Sequence, residues 1–221
     1  MKKYLFLPFC FAFCLFLCGC GASTIKLVKE SMSEITNVYF YGECEDFYCS
    51  ISSGQRETAY LMDGKSGDVT DFALLSLNLS EARATTILKL SVLIDGAEEE
   101  KEVEINSLSS AYLVDLERAL TGKENISIVF EGKTLQLSAL SNNFEIDSNK
   151  ALEIAADQLE EKILLKKKYN NLNAEGYLRI LDKNANDFDS VFWCYTVLNI
   201  DNESYSIIIS TVDGSVLAKS E

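Results

Sequence analysis

The apolar residues of this chain recur in two rhythms, every three or four positions in some segments and every second position in others, and the change of rhythm predicts its elements. Ile25, Val28, Met32 and Ile35 have helical spacing, so residues 25–35 read as a short amphipathic helix. Asn37–Glu43 and Phe47–Ser53 are rich in aromatic and β-prone residues on either side of Glu45-Asp46 and predict a hairpin. Residues 69–79, 86–94 and 102–105 read as strands, the last two forming a second hairpin at Asp95-Gly96 whose solvated tip carries Glu98, Glu99 and Glu100. Leu113, Leu116 and Leu120, with Ser107 before them and Gly122 after, predict a helix over 108–120. Residues 125–130 and 134–140 are strands flanking the glycine-bearing loop Glu131-Gly132-Lys133.

A polar cluster, Ser141-Asn142-Asn143, then separates this region from a new periodic pattern and marks a domain boundary. Asp147 or Ser148 can cap a helix with the stripe Ala151, Ile154, Ala155, Leu159 and Ile163, which ends near Lys166-Lys167-Lys168, where cations complement the helix dipole. Strands over 176–181, 191–200, 205–211 and 216–218 follow, the last after an Asp213-Gly214 turn. The fold class expected is α+β, with antiparallel sheets and helices packed on one face, in two small modules over residues 25–143 and 144–221.

The first residues carry a different message. Lys2-Lys3 precede an apolar run from Tyr4 to Leu17, about fourteen residues, which suits the core of a secretory signal and is short of a membrane span. Leu17-Cys18-Gly19-Cys20 closes it and resembles the lipobox of bacterial lipoproteins. Cys20 follows a small glycine, whereas Cys18 follows bulky Leu17, which selects Cys20 over Cys10, Cys14 and Cys18. The resemblance implies a signal peptide over residues 1–19, an acylated Cys20, a tether over 20–24, and a location at the cell membrane, lipid-anchored on the extracytoplasmic face.

Residues 145–221, with Ala151-Leu152-Glu153-Ile154-Ala155 opening a helix and Thr211-Val212-Asp213-Gly214-Ser215-Val216-Leu217 closing a meander, resemble the PepSY domain. That resemblance implies a small extracytoplasmic module of a type proposed to restrain peptidases. It transfers no catalytic residue.

The charge is −14, and loss of Lys2 and Lys3 with the leader takes it to about −16, so nucleic acid and anionic headgroups are repelled. The chain has no histidine, which excludes histidine-based triads and histidine-ligated zinc. Pairs of carboxylates cannot be recognised until it is known which acids meet in space. No cofactor or metal is expected, and the chain reads as non-enzymatic.

The candidate sites are few. Cys44 and Cys49 face each other if the first turn is centred on Asp46-Phe47, which allows a disulfide in an extracytoplasmic compartment. Residues 182–193 begin like a calcium loop at Asp182, but Asp187 stands where a glycine is needed and Trp193 where a glutamate is needed; a solvated loop is the plainer reading, with Asp182, Asp187 or Asp189 as the alternative ligands. Trp193 and Tyr195 are candidates for binding a peptide or glycan, with Trp193 the ring expected to be exposed, and Tyr39, Tyr41 and Tyr48 offer the same chemistry. An uncovered sheet edge offers strand addition. Together these predict a membrane-anchored binding or regulatory protein of the cell envelope, partnered by the membrane and by an envelope protein or peptidase. The alternatives are a lipoprotein that binds a small ligand, peptide or glycan, and a carboxylate-dependent hydrolase.

Overall fold

A computed structural model describes residues 24–58, 61–165, 167–168, 171–182 and 190–220. Helix α1 (Thr24–Glu30) leads into β1 (Met32–Glu43), β2 (Phe47–Glu57), β3 (Val69–Leu79), β4 (Ile87–Ile94), β5 (Ala97–Ile105), β6 (Tyr112–Asp115), β7 (Ile126–Phe130) and β8 (Lys133–Ala139). A 3-10 turn (Leu140–Asn143) connects to α2 (Ser148–Gln158) and α3 (Glu160–Leu165), followed by the two-residue strands β9 (Lys167–Lys168) and β10 (Asn171–Leu172). The chain finishes with β11 (Ala174–Leu181), β12 (Phe192–Asn199), β13 (Ser204–Ser210) and β14 (Val216–Ser220).

The α+β class stands, but the two expected modules share one twelve-stranded sheet, ordered β14-β13-β12-β11-β1-β2-β3-β6-β5-β4-β7-β8. Its last strand, β8, returns to pair with β1, so the eight strands from β1 to β8 close into an antiparallel barrel. Strand β1 is shared between the two halves. Met32–Ile35 pair in parallel with β11, while Phe40 and Tyr41 pair with Ala139 and Ser138 of β8. The C-terminal helix and meander therefore extend the barrel's own sheet, which overturns the reading of residues 145–221 as a PepSY module.

The alternation of each strand fills the barrel. Val38, Phe40, Phe47, Cys49, Ile51, Leu75, Leu77, Ile126, Ile128 and Leu137 point inward and are buried, with Phe47 set edge-on to Phe130 at 5.5 Å. The interior is a packed core, as expected of a barrel of this size. A second core lies under the helices, where Val28, Ala151, Leu152, Ala155 and Ile163 cover Leu178, Trp193, Tyr195, Ile207 and Ile209. Asp147 caps α2, accepting from the Lys150 amide at 2.8 Å.

Three local expectations fail for physical reasons. The helix expected over 108–120 is a turn followed by β6: Asn106 Oδ1 accepts from the amides of Leu108 and Ser109, and Ser110 and Glu117 have positive φ, which ends helical progression on both sides. The helix expected over 25–35 stops at Glu30, because Met32–Ile35 are claimed by β11. Glu98–Glu100 lie within β5, because Asp95 and Gly96, at φ 52° and 84°, make the two-residue turn and Ile94 pairs with Ala97.

The polar cluster at 141–143 is a seam. Between its two partners β1 has a register shift near Asn37, and groups from the connector satisfy its exposed polar atoms. Ser141 Oγ accepts from the Tyr39 amide at 3.1 Å, Ser148 Oγ donates to Asn37 Oδ1 at 2.7 Å, and Asn142 Nδ2 donates to the Gly122 carbonyl at 2.7 Å.

Candidate functional site

Where β1 leaves β11 for β8, the two halves of the molecule part and leave a groove of about 430 Å³. Gly42, Ser138 and Gln136 line it from the barrel, and Ser190 and Val191 from the extension. Its floor is apolar: Tyr41, Leu140 and Val191 line it, and they belong to a small cluster that continues beneath through Tyr39, Tyr48, Phe144 and Ile180. The Tyr41 and Tyr48 rings lie 6.0 Å apart. Gly42 is required here, since a Cβ would stand 2.7 Å from the Gln136 carbonyl oxygen.

Two tyrosine hydroxyls fix two carboxylates beside this floor. Tyr39 Oη donates to Asp182 and Tyr41 Oη donates to Glu43. Burial, reinforced by the Asp182 charge, pushes the Tyr39 phenol well above its usual range, and the same two causes raise Tyr48. Both phenols are therefore donors at neutral pH. The groove offers an apolar floor, an amide, hydroxyls and the Glu43 carboxylate, which is binding chemistry.

A second polar cluster lies where the β2–β3 loop crosses the sheet. Glu57 and Glu175 are buried, and Ser33 Oγ stands 2.8 Å from Glu57 Oε1 and 2.9 Å from Glu175 Oε2. The loop closes over them, the Gly64 amide donating to Glu175 at 2.8 Å and the Gly67 amide to Glu57. Burial raises the Tyr177 phenol, and the neighbouring Glu175 carboxylate raises it further. Each carboxylate is thus occupied by hydrogen bonds that hold a loop in place. Nothing in the residue pattern foretold that these two acids meet.

The residues singled out in sequence fall elsewhere. Trp193 and Tyr195 are 1% and 0% exposed beneath the helices, so neither lines a ligand surface. Trp193 Nε1 donates to the Ile146 carbonyl at 2.7 Å and its ring meets Phe144 edge-on. The strand alternation that could have warned of this is plain: both share a face with Val197, another core residue. Cys44 and Cys49 are free thiols, one exposed and one buried, because the turn is centred on Glu45-Asp46, which sets Cys49 opposite Gly42 and Cys44 opposite Phe47. Burial pushes the Cys49 thiol up to about 12.

Cys20 and the leader lie outside the described residues, as do Asp187 and Asp189 of the acidic loop. Among the described residues, no group of three or more acids and cysteines is arranged to hold a metal, and no helix is long and apolar enough to cross a membrane.

Comparison with family models, with curated protein sequences and with solved structures finds no match for this chain. The resemblance to PepSY thus fails in both fold and comparison. The lipoprotein recognition likewise gains no family match.

Proposed function

We propose that the protein is a non-enzymatic binding or regulatory protein of the cell envelope that takes a small polar envelope ligand into the groove at the fork of β1. The observation that carries this reading is the convergence there of an apolar floor, the Glu43 carboxylate held by the Tyr41 hydroxyl, the Gln136 amide, and the Ser138 and Ser190 hydroxyls contributed by the two halves of the sheet. A site walled by both halves can couple ligand occupancy to their relative positions.

The location belongs to the same proposal. Lys2-Lys3, the apolar run to Leu17 and the cysteine after Gly19 support an acylated Cys20 that holds the protein at the extracytoplasmic face of the membrane. Cys20→Ala protein is expected to lose fatty acid labelling and to leave the membrane fraction. Unchanged labelling contradicts the anchor.

For the groove, arrays of short peptides and oligosaccharides from the cell envelope are probed with the native protein and with Ser138→Trp, whose indole fills the space beside Val191. A ligand retained by the native protein and lost by the variant supports the reading. A ligand bound equally by both places recognition elsewhere and overturns it.

A further inference from the structure

One end of the twelve-stranded sheet is sealed by the pairing of β8 with β1, so its other end, β14, is the terminal strand of the sheet among the described residues. β14 pairs with β13 alone, through Ser206–Ser220, Ile207–Lys219 and Ile208–Ala218, and its outer backbone groups have no partner strand among the described residues. An unpaired edge is a template for another extended chain.

What lies beside that edge selects the chain. A cavity of about 370 Å³ opens between β14 and the junction of α2 with α3, lined by Asp157, Glu160, Glu161, Lys162, Tyr205 and Lys219. Its two cations are already engaged: Lys162 Nζ lies 4.9 Å above the Tyr205 ring, and Lys219 Nζ donates to Gln158 Oε1 at 2.8 Å. None of the three carboxylates makes an ion pair with a cation among the described residues. A strand laid along β14 projects alternate side chains toward the helices, and those side chains meet negative charge. At the other end of the strand Leu217 is 51% exposed, and offers the incoming chain an apolar contact.

We infer that β14 is a docking edge for an extended segment of a partner protein that alternates basic and apolar residues, with its basic side chains seated against Asp157, Glu160 and Glu161. A second copy of this chain is the wrong occupant. Pairing β14 with itself brings two sets of these carboxylates together on a protein whose charge is already −14. Backbone pairing supplies affinity and the carboxylates supply selection. The inference is independent of the groove at the β1 fork, which shares no lining residue with this cavity.

The test uses an acetylated heptapeptide alternating lysine and valine, its glutamate–valine counterpart, and the intact protein. The lysine peptide is expected to bind, to slow hydrogen exchange of amides in Val216–Ser220 about tenfold, and to weaken as salt is raised. The triple variant Asp157→Asn, Glu160→Gln, Glu161→Gln, altered only at exposed positions, is expected to fold normally and to bind about tenfold more weakly. Equal binding of the two peptides, undiminished binding by the triple variant, or exchange changes away from β14 overturns the inference. So does concentration-dependent self-pairing through β14.

Discussion

Glu57 and Glu175 meet on one hydroxyl, that of Ser33, at 2.8 and 2.9 Å, and so join the end of β2, the start of β1 and the start of β11 at one buried point. Ser33→Ala removes the hydroxyl that lies within hydrogen-bond distance of both carboxylates and whose single proton serves one of them at a time. Leaving buried polar groups short of a partner costs about 2 kcal/mol, so the urea midpoint is expected to fall accordingly. A midpoint unchanged from the native protein contradicts the assignment.

Two glycines predict contrasting outcomes. At Gly54 a Cβ would stand 1.9 Å from the Ile35 carbonyl oxygen, a backbone atom that cannot move without breaking the β1–β2 register. Gly54→Ala is therefore expected to cost more than about 2 kcal/mol. Gly96, at φ 84°, has nothing within 4 Å of the added carbon, so Gly96→Ala costs only the left-handed strain, about 1 kcal/mol. Paired thermal melts of the two variants check the order.

The Tyr195 hydroxyl is buried with no hydrogen-bond partner among the described residues, beside Gly176 and Met32. Tyr195→Phe relieves an unsatisfied group without opening a cavity. Stability is expected to hold or to rise by up to about 1 kcal/mol, and a clear loss shows that the hydroxyl has a partner.

The thiols should separate by reactivity. Cys44 is exposed, while Cys49 is buried and its thiol is pushed up to about 12, first by burial and then by the neighbouring Cys44. At pH 8 an alkylating reagent is expected to modify Cys44 in the folded protein and Cys49 only on unfolding, as read by intact and peptide masses. Equal rates contradict the register of this hairpin.

The turn after β13 has its own acid signature. The Ser215 amide, with the Ser210 and Ser215 hydroxyls, holds the Asp213 carboxyl down to about 2. A lowered carboxyl favours the folded turn above its ordinary value near 3.8, and that contribution is lost as pH falls through about 2. A carbon-detected titration of Asp213 is expected to find its midpoint there, and a midpoint near 3.8 contradicts the turn geometry.

Much of the secondary structure was legible from local chemistry. The hairpin turns at Asp95-Gly96 and Glu131-Gly132, the cap at Asp147 and the four C-terminal strands all follow from residues close in sequence. Closure was not legible. The pairing of Phe40 with Ala139, and of Met32 with Gly176, depends on backbone partners far along the chain that leave no mark in periodicity. The meeting of Glu57 with Glu175 was hidden for the same reason. The groove was half visible: Tyr39, Tyr41 and Tyr48 were evident, but Asp182 and Val191 reach them only through the parallel pairing of β11 with β1. At Ser141-Asn142-Asn143, composition suited a linker equally well, and only the hydrogen bonds to Tyr39 and Gly122 reveal a seam.

β1 serves both halves of the molecule, and that sharing builds the groove. Trp193 is the sole tryptophan and lies in the extension's core, whereas Cys49 lies in the barrel's. Unfolding in urea, followed by Trp193 fluorescence and by pulsed labelling of Cys49, is therefore the most direct measurement. One transition with coincident midpoints is expected if the shared strand couples the halves. Loss of Trp193 burial at lower urea, with Cys49 still protected, would contradict it.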